Sequence, residues 1–275
     1  QEIVNSIQSE EDVRKLTEEA REIGYTSINY DLIYGLPLQT EESVRRTVGF
    51  VNELLPDRIA FYSYAHVPWI SPSQRKYTED DLPKGEAKRK LYELGRKMME
   101  DSGYREIGMD HFALESDSLW RAVKGDTLFR NFMGYMARHV SPMIGLGVSS
   151  ISDSWTAFAQ NEKDLDKYQQ LVEQGNIPIF RGHVLNEEDL IIREHILNLM
   201  TSGYTTWDSK ELFTDFLLQV DSSLEEFAND NLIEIDNNSI TVKDAGHPFI
   251  RNICMAFDAR LQRKKPDTQM FSKTI

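Results

Sequence analysis

The stretch INYDLIYGLP, residues 28–37, places a carboxylate, Asp31, among side chains of high strand propensity. A charge in an apolar strand costs on the order of several kcal/mol unless something satisfies it. Asp31 is therefore either a structural residue paired with Arg58 or His66 of the next strand, or one wall of a ligand site. His66 and His111 each follow a segment of strand character and could face a common mouth, either as ligand contacts or as hydrogen-bonded rim histidines. LFRNFMGY (128–135) combines cationic, amide and aromatic groups without a regular period and reads as a loop. In it Arg130 suits a carboxylate, and Phe132 and Tyr135 suit flat contact with a planar, hydrophobic, anionic ligand; an ordinary packed loop has the same composition.

Other chemistries are excluded by what is missing. The six histidines show no H-x-H or H-E-x-x-H spacing, and Cys254 is the single cysteine, so this chain cannot by itself supply a multi-thiolate metal or iron–sulfur site. Cys254 lies in an apolar-periodic segment and reads as a small buried hydrophobe. No serine sits in a nucleophile elbow. GLGVSS (145–150) lacks the third glycine of a dinucleotide fingerprint and reads as strand rather than turn, which rejects a nicotinamide site; its glycines could let a flat ligand approach the backbone. A net charge of −14 argues against nucleic acid, and RLQRKK (260–265), the one basic run, reads as a solvated helix end. No apolar run is long enough to span a bilayer, and a lone cysteine suits a reducing cytoplasm. The opening QEIVNSIQSEED, without an initiator methionine, looks like an entry into the middle of a longer chain.

The elements that must position these residues alternate over the first two thirds. SEEDVRKLTEEAREIG, TEESVRRTVGFVNEL and GEAKRKLYELGRKMMEDSG read as helices, with Ser9 and Thr40 as N-caps; INYDLIYGLP, RIAFYSYAH, YREIGMDHFA and MIGLGVSSIS read as strands. This rhythm predicts an α/β fold with a parallel, helix-covered sheet, open or barrel-shaped, whose ligands collect at the strands' carboxyl ends. From about Leu185 the pattern changes to helices (NEEDLIIREHILNLMTSG, DSKELFTDFLL, DSSLEEFANDN), a hairpin LIEIDNNSITV turning at 236–238, and a last helix PFIRNICMAFDARL. The expected organisation is a domain over 1–184 and a smaller, mostly helical, winged-helix-like domain over 185–275. Its surroundings are acidic, which favours a packing or lid role for that unit over DNA binding.

In chain order, AREIGYTSINYDLIYGLPLQT, YSYAHVP, GYREIGMDHFA, LFRNFMGY, IGLGVSSIS and IRNICMAFD closely resemble the oxygen-independent coproporphyrinogen III oxidase family. The resemblance covers essentially the whole chain, and GMDHFA together with RNFMGY distinguishes it from haem-trafficking relatives. It implies a partial (β/α) TIM-like barrel with a mostly helical C-terminal domain. It also implies a radical S-adenosylmethionine (SAM) enzyme whose [4Fe–4S] cluster cleaves SAM and whose radical converts two propionates of coproporphyrinogen III to vinyl groups, giving protoporphyrinogen IX. Carried over by position, Asp31, Ala65 and Ile151 match SAM contacts, and His111, Arg130, Phe132 and Tyr135 are the substrate-binding candidates. The implied partners are coproporphyrinogen III and an electron donor or acceptor, with no nucleic acid or membrane, for a cytoplasmic monomer.

The departures are specific. The family's C-x-x-x-C-x-x-C motif is absent, as are the glycines and glutamate of its early strands. Ser6 stands where an arginine is common, and Met133 where glutamine is usual. The chain therefore reads as the C-terminal portion of such an enzyme, unable by itself to hold the cluster and inactive alone. A non-catalytic haem- or porphyrin-binding relative is the alternative, and a winged-helix interaction module is a third.

Overall fold

A computed structural model describes residues 7–69, 71–207, 224–236 and 238–263. The chain divides into two compact units, one running to Asp126 and the other beginning at Thr127. The expected boundary near 184/185 falls inside the second unit, between its strand Ile179–Val184 and its helix Glu187–Ser202.

The first unit opens with α1 (Glu10–Ile23), where the Ser9 hydroxyl accepts from the Asp12 N–H and three acids in the first turn complement the helix dipole. β1 (Asn29–Tyr34) follows, then α2 (Glu41–Leu54), whose capping box pairs Thr40 with Ser43. Val44, Val48 and Val51 recur at helical spacing and are buried, each contributing about 1.5–3 kcal/mol. β2 (Arg58–Ser63) leads through two 3-10 turns to α3 (Gly85–Asp101), which buries Leu91, Tyr92 and Met99. β3 (Tyr104–Gly108), β4 (His111–Leu114) and α4 (Ser118–Lys124) complete the unit.

The sheet order is β1-β2-β4-β3. β1 and β2 are parallel, as the helix between them requires. The expectation of an all-parallel sheet is corrected beyond that point. YREIGMDHFA is not one strand but the antiparallel pair β3 and β4, turned at Met109–Asp110, and β4 runs antiparallel to β2. Met109 takes a positive φ of 49°, which folds the chain back inside a run of mixed polar and apolar residues. One sheet face carries Tyr34, Ile59, Phe61, Tyr104 and Phe112 against α2 and α3 as the core.

The second unit contains a hairpin of β5 (Phe129–Asn131) and β6 (Gly134–Met136). LFRNFMGY is thus a two-stranded ribbon, not a loop; each arm is too short for its alternation to show. β7 (Ile151–Asp153), β8 (Ala157–Asn161) and β9 (Ile179–Val184) form an antiparallel sheet, with α5 (Leu165–Glu173) between the last two. MIGLGVSSIS was expected as a strand, but residues 144–150 are loop and turn and only Ile151–Asp153 is extended. α6 (Glu187–Ser202) ends at the left-handed Gly203, as its sequence predicts.

β10 (Tyr204–Thr206) then pairs with the predicted hairpin, here β11 (Ile233–Asp236) and β12 (Ser239–Val242), in the order β10-β12-β11. Residues 224–229 form α7. DSKELFTDFLL lies outside the described residues, as do Ser6 and position 237 of the hairpin turn. PFIRNICMAFDARL is not one helix: a 3-10 turn over Asp244–Phe249 precedes α8 (Ile250–Ala256), and α9 (Ala259–Arg263) follows after a break.

The basic run at the end is not simply a solvated face. Arg260 forks onto Asp189 (2.8 and 2.7 Å) and Arg263 onto Glu188 (2.8 and 2.5 Å), tying α9 to the first turn of α6. The Arg260 contact holds the Asp189 carboxyl well below the usual carboxylate range.

Candidate functional site

In the first unit the strand registers set Asp31 opposite Ala60 and Ala60 opposite His111. In-register partners share a face, so a carboxylate and an imidazole flank a buried methyl group in one row across three strands. With strands about 4.8 Å apart, the outer two Cα positions are separated by roughly 10 Å. Ile33 and Tyr62 form the next row on that face, and the Tyr62 ring meets His111 edge-on at 5.8 Å. Asp31 and Ile33 are exposed while Tyr30, Leu32 and Tyr34 turn to the helices, so this is the face open to a ligand.

The premise that Asp31 is a buried charge is therefore corrected: alternation puts it on the uncovered side. Neither proposed protein partner takes it. Arg58 Nε donates to Asp117 at 2.8 Å, and His66 Nδ1 lies 2.5 Å from Glu79 Oε1. Asp31 Oδ1 accepts one hydrogen bond, from Asn29 Nδ2 at 2.8 Å, and Oδ2 accepts none among the described residues. An acceptor pair so placed suits hydroxyl or ammonium donors of a ligand.

His66 does not face a mouth shared with His111. Its Nε2 sits 3.1 Å from the Gln74 carbonyl and its ring lies against Tyr77, so both nitrogens are engaged inside the loop after β2. Ala65 lies in the same loop, exposed, with its carbonyl accepting from Gln74 Nε2. His111, expected to follow a strand, instead begins β4 at the level of mid-β2.

In the second unit Arg130 and Tyr135 are cross-strand partners. The guanidinium lies over the phenol ring at 4.7 Å, and the Tyr135 hydroxyl donates to the Met200 carbonyl at 2.8 Å, fixing the ring as a platform. Arg130 Nη1 is buried without a hydrogen-bond partner among the described residues, a donor suited to a carboxylate. Phe132 and Met133 project from the turn half-exposed and exposed, with Met133 N–H held by Asn131 Oδ1. Asn131 Nδ2 also reaches Met143 Sδ at 3.6 Å, which brings the hairpin turn beside the glycine loop. There a Cβ on Gly145 would stand 2.6 Å from the Ile151 carbonyl oxygen, so glycine permits the close crossing that seats Ile151.

Tyr62 and Asn131 belong to these clusters and were not singled out from the sequence. Tyr62 was legible only through the register, because its neighbour in space is 49 residues away along the chain, at His111. A [4Fe–4S] cluster does not fit the residues present. Cys254 is buried, burial pushes its thiol up to about 12, and no group of three or more potential metal ligands gathers among the described residues.

No family model matches the chain. It is 42% identical over 283 residues to the oxygen-independent coproporphyrinogen III oxidase of Escherichia coli K12, covering all of this chain and 61% of that protein. It is 36% identical over 280 residues to the same-named protein of Thermostichus vulcanus, covering 99% of this chain and 85% of that one. A solved structure titled as coproporphyrinogen III oxidase from Escherichia coli, "a Radical SAM enzyme", superposes with a TM-score of 0.87 at 41% identity, over 95% of this chain and 61% of that chain. The chain thus spans about three fifths of the length of most curated relatives it matches.

Proposed function

The chain belongs to the oxygen-independent coproporphyrinogen III oxidase family, and from that premise we propose that the protein carrying it oxidatively decarboxylates coproporphyrinogen III to protoporphyrinogen IX by radical SAM chemistry. Each of two propionates becomes a vinyl group by losing carbon dioxide, one hydrogen atom and one electron, the electron passing to an acceptor. SAM, when bound, supplies the hydrogen-abstracting species. What supports this reading most directly is the row Asp31–Ala60–His111, open at its Asp31 end, in a chain of this family.

The residues of this chain act as walls and grips. Asp31 accepts from the hydroxyls or ammonium of SAM, and Ala65 and Ile151 offer backbone and apolar contacts to it. His111, steadied by the Tyr62 ring, faces the substrate, and Arg130 takes a propionate while Tyr135 and Phe132 give flat contact to the macrocycle. The cluster's thiolates come from outside these residues, so the 275 residues alone are inactive. The functional division is a portion of a (β/α) barrel over 1–184 and a winged-helix-like domain over 185–275. The protein works as a cytoplasmic monomer without nucleic acid or membrane; among the described residues no helix is long and apolar enough to cross a bilayer.

The test is an anaerobic assay of the intact protein with SAM and a low-potential reductant, reading protoporphyrin after oxidation. SAM-dependent conversion supports the proposal. Binding of the tetrapyrrole without loss of carbon dioxide overturns it in favour of a non-catalytic porphyrin-binding protein.

A further inference from the structure

One lysine of the first unit is placed unlike the others. Lys15, Lys84, Lys90 and Lys97 each reach a carboxylate, and Lys76 and Lys124 are exposed to water, whereas Lys88 is half-buried. Lys88 reaches no carboxylate among the described residues, although acids outnumber bases and the net charge is −14. From the first turns of α3 its stem crosses Gly35, just past the end of β1: a Cβ on Gly35 would stand 2.7 Å from Lys88 Cε. Its ammonium donates to the Tyr64 carbonyl, just past the end of β2, at 3.3 Å. The acid nearest in its electrostatics, Glu79, is engaged by His66 at 2.5 Å.

The ammonium is thus half-buried at the carboxyl ends of two adjacent parallel strands, beside Ala65, with one neutral acceptor among the described residues for three N–H groups. Burial lowers its pKa from the ordinary lysine value, while Glu79 pulls it back up. A desolvated cation without a counter-ion is costly, and an incoming anion relieves that cost.

We propose that Lys88 is a carboxylate-binding residue at this rim, receiving either a propionate of the tetrapyrrole or the amino-acid carboxylate of SAM. The assignment rests on the function proposed above. Gly35 is its partner in sequence: the bare Cα at a φ of 82° lets the lysine stem cross to the strand ends.

The experiment labels the intact, cluster-loaded protein that carries this chain with N-hydroxysuccinimidyl acetate and follows Lys88 acetylation by peptide mass spectrometry. It is run alone, with coproporphyrin III, with coproporphyrin tetramethyl ester, and with SAM. Fluorescence titration measures porphyrin binding in parallel, for the unaltered protein and for Lys88→Met and Lys88→Arg. Protection by coproporphyrin III but not by its ester identifies a propionate, and protection by SAM identifies the amino-acid carboxylate; either supports the proposal. Lys88→Met is expected to weaken the protecting ligand by about tenfold, with Lys88→Arg retaining most of the affinity. Porphyrin or SAM binding with Lys88 labelled at an unchanged rate overturns the Lys88 assignment alone, as does equal protection by the ester. No binding of either ligand overturns the functional reading and Lys88 with it. Labelling uses the unaltered protein, so a misfolded Lys88→Met leaves the test intact.

Discussion

Asp31 and His111, 80 positions apart in the chain, share one row of a sheet face with only Ala60 between them. The first stands on a strand parallel to β2 and the second on a strand antiparallel to it, and the two registers together bring carboxylate and imidazole within reach of one ligand. A larger side chain at position 60 would separate them. Ala60 is fully buried, so the row has a flat floor.

Asp31→Asn in the intact protein is expected to weaken SAM binding by roughly ten- to a hundredfold, the loss of charge-assisted hydrogen bonds worth about 1.5–3 kcal/mol. The exposed position predicts an unchanged unfolding midpoint. Calorimetric titration with SAM, beside thermal unfolding, checks both; equal affinity would remove Asp31 from the cofactor site.

Asp117 ties three segments together: it accepts from Arg58 Nε (2.8 Å), from Ser27 Oγ (2.9 Å) and from the Leu119 N–H that opens α4 (2.7 Å). Asp117→Ala is expected to cost about 3–5 kcal/mol, since it strands a half-buried guanidinium and uncaps a helix. Arg58→Met combined with Asp117→Ala should recover part of that loss in urea unfolding. Strictly additive effects would show the pair to be uncoupled.

Burial pushes the Glu106 carboxyl up to about 7, opposed by Arg96 and reinforced by Glu100, Glu93 and Asp110. The folded state therefore holds a proton that the unfolded state releases near the ordinary glutamate value of 4.5. This contribution is fully present below about 4.5 and is lost as the pH rises through about 7, a loss of roughly 2–4 kcal/mol. Glu106→Gln should flatten that part of the stability profile, gaining most over the parent above pH 7. Denaturant midpoints measured from pH 5 to 8 decide it; parallel profiles for the two proteins would refute the buried, protonated state.

Gly145→Ala forces a Cβ to within 2.6 Å of the Ile151 carbonyl, so loop or strand must move. Strain of about 1–3 kcal/mol is expected, together with displacement of Ile151 and weaker SAM binding in the intact protein. Unfolding of the chain and SAM titration of the intact protein report the two effects separately. A variant neutral in both would show that the crossing can relax.

Helix ends and single strands were legible because their causes are local. Ser9 with its acids, the Thr40–Ser43 box and Gly203 each act within a few residues, and the structure puts α1, α2 and α6 where those signals stand. Short strings offered candidates for ligand contacts, and the length of the resemblance brought out the family. Pairing was a different matter. GYREIGMDHFA, with Tyr104, Ile107 and Phe112, passes for one strand, and LFRNFMGY is irregular enough to pass for a loop. Only long-range hydrogen bonding divides the first into β3 and β4 and closes the second into a ribbon.

What the sequence by itself determined was the inventory: the α/β rhythm, an acidic chain with one cysteine unable to hold a cluster, and Asp31, His111 and Arg130 as groups able to grip a ligand. Tertiary structure decided orientation and company. It turned Asp31 to the uncovered face, spent Arg58 and His66 on other acids, and left Lys88 without one, among the described residues, at the ends of β1 and β2. The reason is physical: helix caps depend on neighbours along the chain, whereas exposure, ion pairing and register depend on residues tens of positions away, whose proximity exists only once the sheet has formed.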